Sequence, residues 1–355
     1  MSAKEIIFCL AEDRPDHETG LRLAILSLAR HCPASPVCVY KPPTDSGFGE
    51  WVRQFAQVTW VPNVPAGSHA WNCKPHALKP LLEEGYRRAV WLDADLVVTR
   101  DPRPLFERLD DPTLAVTQEP ASLPHQGTAT RTRAWSLEVG HALPFTVNSS
   151  VVHVTRHHFS LLTAWARLLD NPEYLACQKL PLEKRPIHMA SDQDILNALV
   201  GSGEFQDIPL HVFRSGVDII HAGGALGYSW GERLRGLSHV KPAFFHATAG
   251  KPWLWFSGQP YWSQRTFFSW HRRILQETSP YLHEVRQYRD QLGLDTRWME
   301  WRTATGTCLR LLGFGHFALR GLPLALAASA METLQSRSRP AEPIGEGVPV
   351  FGRRQ

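Results

Sequence analysis

The amino-acid sequence predicts an α/β fold in which helices flank a mixed, mostly parallel sheet. Short apolar runs alternate with helix-patterned segments over residues 5–245, and this order is typical of parallel strands joined by helical crossovers. The run at residues 89–92 is apolar throughout, as expected for a strand buried on both faces. In such a sheet, ligands bind beyond the carboxyl ends of the strands.

The elements follow from the apolar pattern of each segment. The predicted strands are residues 5–10, 37–40, 58–61, 89–92, 96–98, 114–117, 147–154, 208–213, 217–220 and 243–245. The predicted helices are residues 19–31, 77–86, 159–169 and 191–200. Residues 171–189 contain three prolines and are interpreted as a loop. No Gly-rich phosphate loop follows the first strand, which argues against a dinucleotide-binding or P-loop fold.

Two carboxylates interrupt the apolar stretch Ala89 to Val98. Asp93 and Asp95 stand one residue apart, with apolar runs on both sides. Burying two carboxylates at a strand end is unfavourable unless a cation compensates them. A hard divalent metal bound through oxygen is the simplest compensation, and it leaves positions open for phosphate. The stretch therefore predicts a site for a metal and a diphosphate, with a solvated turn as the alternative.

The charge distribution argues against a nucleic-acid partner. The net charge is +4, and the eight arginines and four glutamates from Arg297 onward account for all of it. A nucleic-acid surface would need a basic stripe on the remainder of the chain. The six cysteines lack C-x-x-C spacing, so neither a disulfide framework nor a zinc ribbon is indicated. No signal segment precedes the first strand, and we expect a cytoplasmic protein.

We divide the chain into a main domain (residues 1–256), a helical C-terminal extension (257–335) and a disordered tail (336–355). Residues 307–330 are apolar but are interrupted by Arg310, Arg320 and Pro323. A bilayer span needs ~20 uninterrupted apolar residues, so a span is not expected. Two interpretations stay open: a peripheral helix on anionic lipid at the inner face of the membrane, and a helix packed on the main domain.

Three short motifs occur together in this chain. They are Asp93-Ala94-Asp95, Ser191-Asp192-Gln193-Asp194-Ile195-Leu196-Asn197, and His246 followed by Gly250-Lys251-Pro252-Trp253. On these motifs the chain resembles glycosyltransferase family 8, which includes the glycogenins and bacterial lipopolysaccharide galactosyl- and glucosyltransferases. The likeness covers about residues 5–256 and implies a GT-A nucleotide-diphospho-sugar transferase fold.

The resemblance implies that Asp93, Asp95 and His246 bind Mn²⁺ (or Mg²⁺), which would neutralise the diphosphate of a nucleotide sugar. For His246 alone, a satisfied buried histidine is the alternative interpretation. Gly250 and Lys251 would meet the β-phosphate. The family commonly has H-x-x-G-x-x-K-P-W, whereas this chain is one residue shorter before the lysine, which leaves the phosphate contact of Lys251 open.

The catalytic residues implied by the resemblance are Gln193 and Asp192, placed near the anomeric carbon and the sugar hydroxyls. The same segment also has a purely structural interpretation. Ser191 is a good N-cap, and Asp194 three residues later completes a motif close to a capping box. Capping and catalysis are compatible, because a helix start presents N–H groups to a site.

The remaining donor-site residues are also carried over from the resemblance. Asn148 begins a segment that lies close to the donor sugar in the family. In that segment, Ser150 replaces the usual glycine, which predicts a narrower pocket or a different donor. Lys74 is a candidate second cation near sugar or phosphate, with a solvated helix charge as the alternative. Ala11 and Asp13, after the first strand, would lie beside uracil and ribose.

The function implied is a metal-dependent, retaining glycosyltransferase that moves a hexose from a UDP-sugar to a hydroxyl acceptor, such as a surface glycan or a glycolipid precursor. We interpret the aromatic residues between Trp253 and Trp270 mainly as core, with Trp253 as the best candidate for stacking on the acceptor. Two other functions stay open. One is a metal-dependent nucleotide-sugar hydrolase or pyrophosphatase, and the other is a non-catalytic relative that acts as a scaffold.

Overall fold

In the computed structural model, the described part of the chain comprises residues 4–65, 70–119, 127–222, 228–237, 240–248, 251–256, 277–300, 304–312, 316–327 and 330. The strands are β1 (Lys4–Ala11), β2 (Val37–Tyr40), β3 (Val58–Val61), β4 (Tyr86–Leu92), β5 (Leu96–Val98), β6 (Leu114–Gln118), β7 (Val147–Val154), β8 (Leu210–Phe213), β9 (Ile219–His221) and β10 (Phe244–His246). The helices of the main domain are α1 (Glu18–His31), α2 (Phe48–Val52), α3 (Lys74–Glu83), α4 (Arg103–Glu107), α5 (Ala129–Ala134), α6 (Phe159–Leu169), α7 (Pro172–Cys177), α8 (Asp192–Val200), α9 (Trp230–Gly236) and α10 (Pro252–Phe256). The helices that follow are α11 (Pro280–Val285), α12 (Arg297–Glu300) and α13 (Ala304–Leu312).

Two sheets organise these elements. The main sheet has seven strands in the order β3-β2-β1-β4-β7-β6-β8, and β7 runs antiparallel to both of its neighbours while the other pairs are parallel. The smaller sheet has the order β5-β10-β9. Helices pack on the sheet, so the predicted mixed, mostly parallel α/β architecture is confirmed.

The central strands of the main sheet are buried on both faces, as their apolar residues predicted. Alternate residues of β4 point to opposite sides: Trp91 packs in one apolar cluster with Leu78 and Trp165, and Val90 packs in the other with Phe8. All five side chains are almost completely buried. Burial on both faces fixes the register of β4, and thereby fixes where its carboxyl end lies.

The two apolar runs around the aspartates belong to different sheets. β4 lies in the main sheet between β1 and β7, whereas β5 pairs with β10 in the smaller sheet. The chain therefore leaves one sheet and enters the other at Asp93-Ala94-Asp95. A turn between two buried strands explains how both carboxylates reach the same surface.

Some predicted boundaries and one predicted loop were wrong. The helix predicted at residues 77–86 is α3, which begins at Lys74 and ends at Glu83, because Tyr86 already belongs to β4. The predicted loop at residues 171–189 contains α7. The Asn171 side chain accepts a hydrogen bond of 2.8 Å from the N–H of Glu173, and Pro172 stands in the first turn. Both features favour a helix start.

Residues 277–300 pack against the main domain. Arg22 of α1 donates a hydrogen bond of 3.0 Å to the carbonyl of Leu292. Trp253 is 6% exposed and packs with Tyr281 and Trp298 in one apolar cluster. The prediction that Trp253 is free to stack on an acceptor sugar was therefore wrong. Of the other aromatic residues in that prediction, those at 261–270 lie outside the described residues.

The stretch at residues 307–330 does not form a single helix in the described part of the chain. Helix α13 covers Ala304–Leu312, residues 317–321 form a turn, and residues 322–327 are helical again. Residues 313–315 and 328–329 are outside the described ranges, as is the predicted disordered tail. Among the described residues no helix combines the length and apolar character that crossing a bilayer requires.

Candidate functional site

The candidate site lies at the carboxyl edge of the main sheet. Asp93 follows β4, and its backbone N–H donates a 2.9 Å hydrogen bond to the carbonyl of Ser150. Glu119 follows β6, and its N–H bonds the carbonyl of Thr146 at 3.0 Å. Because β7 is antiparallel, its first residues lie beside the ends of β4 and β6. Polar side chains from three strands therefore meet at this edge.

The structure brings Asp93, Asp95 and His246 together. Each offers one ligand atom, and these atoms lie within 4.8 Å of one another. His246 Nε2 is 3.2 Å from Asp95 Oδ1 and 3.9 Å from Asp93 Oδ2. The histidine reaches this position because it ends β10, which pairs with β5 directly after the aspartates.

These three side chains fit a divalent metal. Carboxylate oxygens suit Mg²⁺ and Mn²⁺, and an imidazole can complete the set. Burial lowers the pKa of His246, which favours the neutral ring that a metal requires. Both aspartates are partly exposed, so a bound ion would keep positions for water and phosphate.

Lys74 connects this cluster to helix α8. Its side chain is nearly inaccessible, at 2% exposure, and Nζ lies 3.0 Å from both Asp93 Oδ1 and Asp192 Oδ2. Nζ also donates a 2.7 Å hydrogen bond to Ser149 Oγ. Burial alone would lower the pKa of Lys74, but the two carboxylates raise it above its ordinary value. The alternative interpretation of Lys74 as a solvated helix charge was therefore wrong.

The two predicted catalytic residues differ in accessibility. Asp192 is buried, and its Oδ2 accepts a 2.9 Å hydrogen bond from Ser149 Oγ. Burial raises the pKa of Asp192. Gln193 is half-buried, and its Nε2 donates a 3.0 Å hydrogen bond to Glu119 Oε2. Of the two side chains, Gln193 presents more surface to a substrate.

The start of α8 is fixed from two directions. Asp194 Oδ2 accepts hydrogen bonds from the N–H and the hydroxyl of Ser191, at 3.0 and 2.9 Å. Arg131 of α5 pairs with Asp194 Oδ1 at 2.7 Å, and both side chains are buried. The first contact agrees with the predicted capping motif. The second was missed, because nothing in the pattern of α5 marks Arg131.

Glu119 is a second residue that the sequence analysis missed. It is 8% exposed, and its Oε2 accepts hydrogen bonds from Asn148 Nδ2 at 2.7 Å and from Gln193. Burial raises the pKa of Glu119. No lysine or arginine of the described ranges forms an ion pair with it. A carboxylate directly after the apolar strand β6 was the available signal, the same one that identified Asp93.

The Asn148 segment is bonded internally. Asn148 Oδ1 accepts a 2.9 Å hydrogen bond from the N–H of Ser150. Ser150 is completely buried, and its hydroxyl lies 3.1 Å from that of Thr117. Replacing glycine by Ser150 therefore adds a hydroxyl inside the protein, and the predicted narrowing of the pocket does not follow.

The expected nucleotide residues lie at the end of β1. Ala11 is buried, and Asp13 has one buried carboxylate oxygen, Oδ1, without a hydrogen-bond partner. Between them, Glu12 pairs with Arg14 at 2.7 Å, and the Arg14 guanidinium lies 4.9 Å from the ring centroid of Trp71. The sequence analysis did not identify Glu12, Arg14 or Trp71.

Lys251 lies directly beside the proposed metal ligands. It forms an ion pair with Asp95 Oδ2. Its Nζ also donates hydrogen bonds to the carbonyls of Ala247 and Thr248, at 2.6 and 3.0 Å. Burial lowers the pKa of Lys251 to about 7, and a phosphate bound at the cluster would favour the charged form of this side chain. Gly250, predicted beside it, lies outside the described residues.

No family model and no curated protein sequence matches this chain. Solved structures that resemble it include several glycosyltransferases. The bifunctional glycosyltransferase WbbM has 12% identity and a TM-score of 0.44 over 71% of this chain and 47% of its own, so this chain spans less than half of WbbM. Mouse xyloside xylosyltransferase 1 has 15% identity and a TM-score of 0.42, over 69% of this chain and 98% of its own. Galactosyltransferase LgtC has 15% identity and a TM-score of 0.44, over 83% of this chain and 99% of its own. Similarity at this level leaves the function to the geometry of the site.

Proposed function

We propose that this chain is a metal-dependent glycosyltransferase with a GT-A fold, which moves a hexose from a UDP-sugar to a hydroxyl acceptor. One observation carries the proposal: Asp93, Asp95 and His246 converge within 4.8 Å at the carboxyl edge of the sheet. Gln193, from the start of α8, lies beside the same edge. Metal ligands next to a polar amide group suit a diphosphate with a sugar attached to it.

The leaving group would be held by this cluster and by Lys251. When bound, Mn²⁺ or Mg²⁺ neutralises the diphosphate and stabilises the charge that develops on departing UDP. Asp93, Asp95 and His246 would hold that ion. Lys251 Nζ, which contacts Asp95, would turn one N–H toward the β-phosphate.

The sugar would lie against Gln193. Its carboxamide is held on both sides, because Nε2 donates to Glu119 and Oε1 accepts from the N–H of Ser149 at 3.4 Å. We propose retention of configuration by attack on the same face. The acceptor oxygen bonds to the anomeric carbon, the bond to the phosphate oxygen breaks, and the hydroxyl proton passes to that phosphate oxygen.

The nucleoside would lie at the end of β1. Asp13 Oδ1 is a buried acceptor without a partner, and such a group is unfavourable unless a ligand supplies a donor. A ribose hydroxyl or the uracil N–H would supply one. The aromatic face of Trp71, beside Arg14, provides an apolar wall for a base.

A second function is favoured by Glu119. A buried carboxylate with a raised pKa is suited to taking a proton from water, so hydrolysis of the nucleotide sugar at the same site is the alternative. Measuring release of UDP with and without an acceptor separates the two. Transfer predicts that UDP release depends on the acceptor, whereas hydrolysis predicts equal rates.

Membrane contact is a separate part of the proposal. Leu311 of α13 and Leu326 are 66% and 49% exposed, and exposed apolar side chains suit a peripheral contact with a lipid surface. Sedimentation with anionic and neutral vesicles tests it, and equal recovery in both supernatants would refute it. A cytoplasmic location stays a prediction.

Donor binding is tested by thermal unfolding with a panel of nucleotide sugars in Mn²⁺. A specific ligand at one hundred times its Kd should stabilise the protein by about 2.7 kcal/mol. Asp95→Asn should lose the part of this stabilisation that depends on Mn²⁺. Donor binding is refuted if neither UDP nor any nucleotide sugar raises the Tm with metal present.

A further inference from the structure

A second histidine lies directly behind His246. His221 ends β9 and His246 ends β10, and the two residues are partners in the parallel register of these strands. Their Nδ1 atoms are 3.1 Å apart, and both rings are buried. In the sequence, each of these histidines follows two apolar residues and precedes an alanine: Ile-Ile-His-Ala at residues 219–222 and Phe-Phe-His-Ala at residues 244–247.

The hydrogen bonds of His221 determine where its proton lies. Its Nε2 is 3.1 Å from the carbonyl oxygen of Gln118. A carbonyl can only accept, so Nε2 carries a proton and donates it. The other contacts of the ring, at Nδ1, are the hydroxyl of Thr248 at 3.1 Å and the His246 ring. None of these partners is a carboxylate that would favour a second proton on His221.

The position of this proton determines the tautomer of His246. A neutral His221 with its proton on Nε2 has a lone pair at Nδ1. His246 Nδ1, 3.1 Å away, donates to it, since two lone pairs facing each other at this distance would repel, and the Thr248 hydroxyl lies 3.3 Å from His246 Nδ1 as a further partner. His246 Nε2, which faces Asp95 and Asp93, is left with its lone pair. A metal-binding histidine generally donates its other ring N–H to a fixed acceptor, which orients the ring and strengthens it as a ligand. That acceptor is usually a carboxylate or a carbonyl, and here it is an imidazole.

We propose that His221 is a positioning residue that holds His246 in the Nδ1–H tautomer, with Nε2 available to the metal. The chain of donors runs from His246 Nδ1 to His221 Nδ1, and from His221 Nε2 to the carbonyl of Gln118. The inference rests on the proposed function, since it requires the Asp93, Asp95 and His246 cluster to bind a divalent ion. If His221 were simply a buried core histidine, its side chain would not affect metal affinity.

The test measures the Kd of Mn²⁺ by electron paramagnetic resonance, with UDP present, on the full chain. His221→Leu should weaken Mn²⁺ binding by about 10- to 100-fold, the usual effect of removing such a partner. His221→Gln should retain most of the affinity, because its carboxamide can accept from His246 and donate to Gln118. His211→Leu removes a half-buried histidine of β8 outside the cluster and should leave the affinity unchanged.

A second measurement, on the wild-type protein, tests the inference even if the His221→Leu variant does not fold. Nitrogen-15 spectra of the wild-type protein with Mg²⁺ and UDP should show a proton on Nδ1 of His246 and on Nε2 of His221. A proton on Nε2 of His246 in that complex overturns the inference.

The Mn²⁺ affinities distinguish a failure of the role proposed for His221 from a failure of the proposed function. Unchanged affinity in folded His221→Leu, or equal losses in His221→Leu and His221→Gln, overturns the role of His221 while the metal site stands. Failure of the wild-type protein to bind Mn²⁺ with UDP overturns the proposed function, and this inference with it.

Discussion

Replacing Lys74 with methionine should strongly destabilise the fold, because one buried ammonium group neutralises two carboxylates. Lys74 Nζ lies 3.0 Å from Asp192 Oδ2 and 3.0 Å from Asp93 Oδ1. Removing one partner of a buried ion pair costs about 3–5 kcal/mol. Asp192 should account for most of the loss, since Asp93 is partly exposed and keeps its 2.8 Å hydrogen bond from Trp91. We expect a loss of about 3–5 kcal/mol at pH 7.5.

The loss should decrease at lower pH. Burial already raises the pKa of Asp192, and Lys74 opposes that rise. Without Lys74 the pKa of folded Asp192 lies further above that of the unfolded chain, so keeping this carboxylate charged costs stability at pH 7.5. The cost decreases as the pH falls below the folded-state pKa towards the unfolded-state pKa, and the variant should regain stability relative to the wild type over that range.

Urea unfolding at pH 7.5 and at lower pH measures both effects, and the chain offers two controls. Lys79→Met removes from the same helix a half-buried lysine without an ion-pair partner among the described residues, and should change stability by no more than about 0.5 kcal/mol. The double variant of Lys74→Met with Asp192→Asn should be more stable than Lys74→Met alone, since the unpaired buried charge of Asp192 is removed. The reasoning is refuted if Lys74→Met is no less stable than Lys79→Met, or if Asp192→Asn adds a further loss to it.

Three further predictions concern other buried groups. Arg131→Met leaves the buried Asp194 carboxylate without its cation and should lower the free energy of unfolding in urea by about 3–5 kcal/mol. A decrease below 1 kcal/mol would contradict this prediction. Glu119→Gln removes a charge that burial disfavours, so stability should change by about 1 kcal/mol or less. Transfer measured by UDP release should fall at least tenfold (about 1.4 kcal/mol) in Glu119→Leu, because Gln193 loses its acceptor, but not in Glu119→Gln, whose carboxamide oxygen can still accept; equal rates in Glu119→Leu and the wild type would rule out this role. Burial lowers the pKa of His153 to about 3, so the unfolded state takes up the proton first and stability falls as the pH drops below about 6.5. His153→Leu should flatten that slope by up to about 1.4 kcal/mol per pH unit, and an unchanged slope would contradict it.

The sequence predicted the elements whose apolar pattern is uniform. The strand at residues 89–92 is buried on both faces, and its pattern needs no knowledge of its neighbours. The pairing of β5 with β10 was not predictable, because it depends on a contact between residues 96–98 and 244–246, which are distant in the chain. Helix α7 was missed because the three prolines of residues 171–189 favour a loop, although Pro172 occupies a position where proline favours a helix start.

The candidate site was predictable where chemistry stands out against an apolar background. Asp93 and Asp95 interrupt a buried run, and that alone indicated a cation. Glu119 carries the same signal more weakly, as one carboxylate after one strand. Arg131 and His221 could not be assigned from the sequence, because their roles arise from contacts between separate elements. Arg131 reaches Asp194 from α5, and His221 reaches His246 through the parallel pairing of β9 and β10.

Calorimetric titration of Mn²⁺ in the presence of UDP tests the central claim most directly. The account predicts one ion per chain, with affinity reduced about tenfold or more by Asp93→Asn, Asp95→Asn or His246→Gln. Asp101→Asn, which alters a surface pair with Arg103, should bind Mn²⁺ as the wild type does. Binding of one ion with the same affinity in wild type and Asp95→Asn would show that the cation is held elsewhere.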